Sequence, residues 1–289
     1  MDFFLPLVGF YSLSLAASGD VTEAHGFSTA QTAKQERQYK QLPTKLNPYR
    51  TNFLLPVNYS SSPNNTAYQA QNPNLSNINH VEMKFQFSLK YPIFPGLLGE
   101  RNSWYVAYSQ LSFWQAYQDS AFFRESNYSP EMFIRFRSDY EFIGWQMAKT
   151  DFGFVHQSNG LGGQAERCWN RLYLRQLAKK KDWEVELTIW YKVNWFNHFG
   201  LHEYNANITD YLGHSLINIK KIMGRQKLSL ELRNQFDSGF SKGFEVLTWS
   251  YSLKNNISVF AQATSGYGQS LGEYNHYTNT FGIGFGFSH

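Results

Sequence analysis

The chain is poor in cysteine, in charge and in long apolar runs. Its one cysteine, Cys168, excludes an intrachain disulfide framework and a cysteine-based zinc site. No window holds the roughly 18 to 20 consecutive apolar residues of a membrane-spanning helix. The longest such stretch, Phe3 to Ala17, is interrupted by Ser and Gly and lies at the start of the sequence. Charged residues are 17% of the chain and the formal net charge is +4, without the dense Lys/Arg stripes of a nucleic-acid binder. What abounds instead is aromatic: Phe, Trp and Tyr are 18% of the 289 residues, too many for a disordered chain. Apolar residues so numerous, in a chain with no long apolar run, must be dispersed by a pattern.

That pattern has a period of two. From Val81 to Tyr91, Val81, Met83, Phe85, Phe87, Leu89 and Tyr91 alternate with Glu82, Lys84, Gln86, Ser88 and Lys90. Successive side chains of a strand point to opposite faces, so one face is apolar and the other polar. The rule returns in Trp183 to Val193, Leu228 to Leu232, Met132 to Phe136 and Phe281 to Phe287. Twelve strands are expected, near 52–59, 81–92, 103–114, 131–140, 145–158, 169–178, 183–194, 208–222, 227–236, 243–253, 256–265 and 279–287. Turn signals at Gly224-Arg225 and Asn255-Asn256 separate some of them. Most are about as long as a tilted strand needs to cross a bilayer. A soluble sandwich also alternates. Aromatics at strand ends and formal charges on the polar face fit a membrane barrel better, with interfacial girdles outside and a polar interior. Only closed barrels or helices span lipid without leaving backbone groups unpaired. The fold class is therefore all-β: a transmembrane antiparallel β-barrel of about 12 strands.

Residues 1–19 read as a signal peptide, with an apolar stretch followed by Ala16, Ala17 and Ser18, although no Lys or Arg precedes Lys34. Residues 20–289 then form a single outer-membrane barrel domain with an N-terminal extension.

Chemistry gathers at Phe152-Gly153-Phe154-Val155-His156-Gln157-Ser158-Asn159-Gly160. Phe152, Phe154, His156 and Ser158 share a parity, and Asn170 shares one with Leu172 and Leu174 in the following strand. A hairpin would place Asn170 beside His156 on the lipid-facing surface. A serine hydroxyl needs a base to take its proton. His156 can be that base, and Asn170 can fix its tautomer by accepting the other ring N–H. Polar residues facing lipid are costly, which points to function. His-x-Ser alone is weak in a chain with eight histidines. The pair could equally sit at a strand end, hydrogen-bonded to water or headgroups.

The run His156 to Gly160, followed by Trp169-Asn170-Arg171-Leu172-Tyr173, resembles the outer membrane phospholipase A family. The likeness extends through Phe123 to Pro130, Asp139-Tyr140, Gly144-Trp145 and Ser265 to Leu271. It implies a calcium-dependent lipid acyl hydrolase of the bacterial outer membrane, acting on phospholipids and lysophospholipids. It also implies a His156, Ser158 and Asn170 triad, with the Ser158 and Gly160 N–H groups as oxyanion donors. Family calcium is held by backbone carbonyls at positions matching Leu161 and Ser120, by an Asp and a Ser, and by a partner-subunit carbonyl. Here the Asp position is Gly163 and the Ser position is Glu166, so Glu166 is expected to be the main side-chain ligand for Ca2+. The family also implies a reversible homodimer, in which Gln110 matches a polar interface residue; the other reading of Gln110 is an interior polar residue. The altered calcium residues keep open a catalytically silent barrel, a small pore or structural protein. Other features are weaker. His198 and His202 flank Gly200 in a loop and do not read as a metal pair. Gly160-Leu161-Gly162-Gly163 lets an active-site loop turn. Lys179-Lys180-Lys181 is a basic turn, either solvated or facing anionic headgroups. Cys168 is read as an inert thiol on the face opposite Asn170.

Overall fold

The computed structural model describes residues 45–69, 77–95, 97, 102–194, 204–234, 236, 238–254 and 256–287. Residues 1–19, His198, His202 and Asn255 lie outside them. The alternating segments form strands β1 (Asn52–Ser60), β2 (Val81–Pro95), β3 (Asn102–Gln115), β4 (Phe122–Arg137), β5 (Trp145–Ser158) and β6 (Cys168–Lys180). The series continues with β7 (Trp183–Val193), β8 (Ser215–Met223), β9 (Gln226–Arg233), β10 (Phe244–Ser252), β11 (Ile257–Tyr267) and β12 (Tyr277–Phe287). Each pairs antiparallel with its chain neighbours. β12 returns to β1, from Thr280↔Ser60 to Phe287↔Asn52, and closes the barrel. Two two-residue pieces, Asn47–Pro48 and Glu141–Phe142, add short pairings to β2 and β5.

Two expected strands are corrected. β4 begins at Phe122, well before residue 131, and ends at Arg137. Its first half carries Ser126, Tyr128 and Pro130 on the outward side, so the apolar half of the alternation is faint there. The segment near 208 is not strand: Ile208–Leu212 is a helix, and β8 starts at Ser215. Ile208 and Leu212 are both buried, one helical turn apart, a spacing that even numbering hides inside a period-two pattern.

The faces divide as the alternation requires. Phe87, Phe152, Ile189 and Phe281 are about half exposed on the outside, whereas Glu82, Lys84 and Asp151 are buried within. The interior is a charge-compensated core. Glu131 accepts from the hydroxyls of Tyr173 and Tyr49 and from Arg50 Nη2 at 3.0 Å. Arg135 forms a two-pronged pair with Asp151, both contacts at 2.7 Å, and Arg175 reaches Glu131 and Asp151, each at 3.4 Å. Gly153 is required here. A Cβ would lie 2.5 Å from the Tyr173 hydroxyl and 2.6 Å from Phe133 Cβ, blocking the path of Tyr173 to Glu131.

A second network ties down a loop at one rim. The 268–276 loop folds inward, burying Leu271 and Glu273. The Leu271 N–H donates to Asn127 Oδ1 at 2.9 Å and the Gly272 N–H to Glu125 Oε1 at 2.8 Å. Arg124 is held between Glu82 at 2.8 Å and Glu273 at 2.9 Å. The loop is thereby tied to β4, the strand beside β5.

Removing one partner of a buried ion pair leaves the other uncompensated, at a cost of about 3–5 kcal/mol. Glu131→Ala should lose about that much, with Arg50 and Arg175 left facing one another. Urea unfolding in lipid vesicles, followed by tryptophan fluorescence, measures it; a midpoint equal to wild type would refute the hub role.

Candidate active site

β5 and β6 pair in a register that sets His156 opposite Asn170, Ser158 opposite Cys168 and Phe154 opposite Leu172. Phe152 is 51% exposed and Leu174, its partner, 43%, so this row of positions faces outward. His156 and Ser158 are two positions apart on one strand and therefore on that same face. The hairpin inferred from parity is present.

His156 Nδ1 lies 2.8 Å from Asn170 Oδ1. An amide oxygen can only accept, so this contact places the proton on Nδ1 and leaves Nε2 as the ring nitrogen able to accept one. Asn170 is only 4% exposed although it lies on the outward face of the barrel, so its polarity is met inside the site. On the other side of β5 the register runs from Glu131↔Val155 to Tyr128↔Ser158, with Pro130 between them. Proline has no N–H for the ladder, and the pairing lapses opposite His156.

The Gly160 N–H donates to Ser158 Oγ at 2.9 Å. One of the two expected oxyanion donors is thus engaged with Ser158 Oγ itself, and would have to leave it to meet an oxyanion on a substrate carbonyl. Gly160 has φ +70°, and a Cβ there would come within 2.8 Å of Tyr128 Cε2. Glycine thus permits both the left-handed turn and the close approach of Tyr128.

Asn159 had no role in the sequence reading, yet it pins the whole loop. Its side chain accepts from the N–H groups of Leu161 at 3.3 Å and Arg167 at 3.0 Å, and donates to the Ala165 carbonyl at 3.0 Å. Its own N–H donates to the Arg167 carbonyl at 3.0 Å. Asn next to Gly at the end of a strand was the available signal.

The residues expected to hold a metal are less gathered. Leu161 and Glu166 lie in the 159–167 loop, while Ser120 lies in the loop between β3 and β4, on the same rim. Among the described residues, no group of three or more His, Cys, Asp or Glu is placed to hold a metal. The Glu166 carboxylate accepts from Cys168 Sγ at 3.0 Å, a weak donor that a hard cation can displace. Arg167 Nη1 occupies the carbonyls of Gln164 at 2.8 Å and Glu166 at 2.7 Å; the Leu161 carbonyl is not one that it holds. Oxygen donors suited to calcium are thus present, with one carboxylate among them.

Cys168 corrects its expectation. It is two residues from Asn170, shares the outward face and stands across from Ser158. Gln110 also faces outward, taking a hydrogen bond from the Tyr108 hydroxyl at 2.9 Å and donating to Ser112 Oγ at 3.0 Å. Its pairing with Tyr128, and that of Tyr128 with Ser158, puts Gln110 and Ser158 in one row across the barrel, two strands apart.

Comparison with known proteins joins these observations. The family model described as phospholipase A1 matches residues 29–287. The chain belongs to the phospholipase A1 family. It is 36% identical over 244 residues to phospholipase A1 of Proteus vulgaris, covering 84% of this chain and 81% of that one. It is 35% identical, at the same coverage, to phospholipase A1 of Escherichia coli K12. Among solved structures, the calcium-bound dimer of the Salmonella typhi outer membrane phospholipase superposes with TM-score 0.78 at 33% identity, covering 86% and 94% of the two chains. The outer membrane phospholipase A of Escherichia coli gives 0.77 at 34% identity, covering 84% and 98%. An asparagine-to-alanine active-site mutant of the Escherichia coli protein gives 0.78. Like its phospholipase A1 relatives, this chain is an enzyme and a twelve-stranded barrel of the bacterial outer membrane.

Asn159→Ala removes three side-chain hydrogen bonds from one loop and none from the barrel ladder. Hydrogen exchange should quicken at the backbone amides of 160–167 while β5 and β6 keep wild-type protection. Unchanged protection in the loop would contradict the pinning role.

Proposed function

We propose that this phospholipase hydrolyses the acyl esters of phospholipids and lysophospholipids on its lipid-facing surface, with His156, Ser158 and Asn170 as the triad. The observation that carries the reading is the Nδ1–Oδ1 contact of 2.8 Å between His156 and Asn170, on the face that Ser158 shares. Ser158 Oγ attacks the ester carbonyl while His156 Nε2 takes its proton. The developing oxyanion is met by the N–H groups of Gly160 and Ser158. His156 then gives the proton to the departing glycerol oxygen, and water cleaves the acyl-enzyme with His156 again as base. Asn170 holds the ring plane and tautomer throughout. An acyl chain already in the bilayer reaches Ser158 without leaving apolar surroundings, past Phe152, Leu172 and Leu174.

Calcium fits the reading as a cofactor held by the Glu166 carboxylate with the carbonyls of Leu161 and Ser120. Bound there, it would supply positive charge to the oxyanion side of the site. Gln110, about 10 Å from Ser158 by two strand spacings, would lie in the interface of a reversible homodimer, so that association covers the catalytic face. The calcium-bound dimer of the Salmonella typhi protein supports both parts. No nucleic-acid partner is proposed.

Purified protein assayed on phospholipid and on a chromogenic acyl ester, with calcium and with chelator, tests the enzyme reading. Hydrolysis should occur with calcium, and a sulfonyl fluoride should label Ser158. Asn170→Ala should lower kcat about 10²-fold or more while leaving the barrel folded. No hydrolysis and no labelling would leave only the silent barrel.

Calorimetry of Glu166→Ala should show calcium binding at least about tenfold weaker, since affinity follows the charge of the ligands. Unchanged affinity would exclude Glu166 as a ligand.

A further inference from the structure

The two rims of the barrel differ. At the catalytic rim the connections are 61–80, 116–121, 159–167, 194–214, 234–243 and 268–276. At the other rim lie the tight connections 181–182, 224–225 and 253–256, with 96–101 and 138–144. Barrels of the bacterial outer membrane keep short turns on the periplasmic side and longer loops outside. The short-turn rim therefore meets the inner leaflet, and the catalytic rim faces outward.

At the short-turn rim, register aligns an unusual row. Gln146 pairs with Lys179, which sets Trp145 beside Lys180; Lys180 pairs with Trp183, and Trp183 with Lys221. Trp145, Lys180, Trp183 and Lys221 thus succeed one another across four adjacent strands, tryptophan and lysine in turn. Lys180 Nζ lies 5.9 Å from the Trp145 ring centroid and Lys221 Nζ 4.6 Å from that of Trp183. Trp145, Lys180, Lys181, Trp183, Val185 and Ile219 line one groove on the outside of the barrel. Lys181, at the turn, is exposed. Of the nearby acids, Glu184 is engaged with Lys179 at 2.6 Å on the inward side and Asp182 is exposed in the turn. Among the described residues, neither Lys180 nor Lys221 forms an ion pair.

We propose that this groove binds one anionic glycerophospholipid of the inner leaflet, with its phosphate between Lys180, Lys181 and Lys221 and an acyl chain along Trp145, Trp183, Val185 and Ile219. Charge complementarity selects the headgroup. Lys180, Lys181 and Lys221 give this rim three cations against two neighbouring acids: Glu184, turned inside, and Asp182, exposed in the 181–182 turn. Lysines stacked on indole rings lie flat at interface depth, where a lipid phosphate lies. The apolar floor selects a lipid over free phosphate. The site is separate from the triad, lies at the opposite rim, and needs no catalysis; it would fix the depth and tilt of the barrel.

The test uses ether-linked lipids, which contain no ester to hydrolyse. Full-length protein in detergent is mixed with ether-linked phosphatidylglycerol or with ether-linked phosphatidylcholine of the same chains, and bound lipid is counted by native mass spectrometry. Wild type should retain one phosphatidylglycerol at concentrations where phosphatidylcholine is lost. The double variant Lys180→Gln/Lys221→Gln should bind phosphatidylglycerol about tenfold more weakly or worse. Lys254→Gln, which removes a charge from the same rim outside the row, should bind as wild type does. Equal retention of the two lipids by wild type, undiminished binding by the double variant, or an equal loss in Lys254→Gln would each overturn the assignment.

Discussion

Closure of the sheet is the constraint on which everything else rests. In hydrocarbon no water satisfies a free N–H or C=O, so an open edge is not tolerated. The pairing of β12 with β1 removes both edges at once. Once the ring is closed, every residue is committed to one side, because a slip of one position would turn a whole strand inside out. The interior then has to be compatible with buried charge. Glu131 with Arg50 and Arg175, and Asp151 with Arg135, meet that demand by pairing. The outward face has the reverse demand, and polar groups are tolerated there only where they satisfy one another.

The proposed catalytic group is such an exception, and its arrangement follows from the ladder. Register alone brings Asn170 to His156, and strand pleat alone brings Ser158 to the same face. The loop then adds what a ladder cannot: a turn at Gly160 that points an N–H at Ser158 Oγ, held shut by Asn159. Support continues inward and sideways. The 268–276 loop binds Glu125 and Asn127 on β4, the same strand presents Tyr128, and Tyr128 packs under Gly160. A sequence likeness at Ser265 to Leu271, far along the chain from the triad, has its physical basis in that chain of contacts.

Much of this was legible from alternation. Parity assigns inside and outside along β2, β5, β6 and β7 and puts His156 beside Asn170. Alternation failed where its apolar half was missing or imitated. The start of β4 presents Ser126, Tyr128 and Pro130 outward, which reads as loop. Ile208 and Leu212 match the parity of a strand, yet four residues is also one helical turn. Parity could not decide Gln110 without knowing the side on which β3 places its even positions; those prove to be outward. Cys168 shows the opposite failing, since simple counting from Asn170 puts it on the outward face beside the nucleophile. The proposed calcium ligands were least legible, because backbone carbonyls carry no residue signature and the one carboxylate, Glu166, stands where the family resemblance implies a serine.

The neutral third member of the proposed triad suits its location. A carboxylate at position 170 would stabilise the imidazolium more strongly, but it would have to stay ionised at a surface bordered by Phe152, Phe154, Leu172 and Leu174. Removing a charge from water costs several kcal/mol unless it is paired, and Arg171 and Arg175 on the same strand are turned to the inward face. Asparagine supplies the same acceptor oxygen at a far smaller desolvation cost. It orients His156 equally well and gives up only the charge. What the triad loses in charge must then come from outside the protein's apolar surface, which is where a hard cation beside Glu166 would stand. A neutral orienting residue and a metal at the oxyanion side are, on this reasoning, two halves of one solution to doing ester chemistry in lipid.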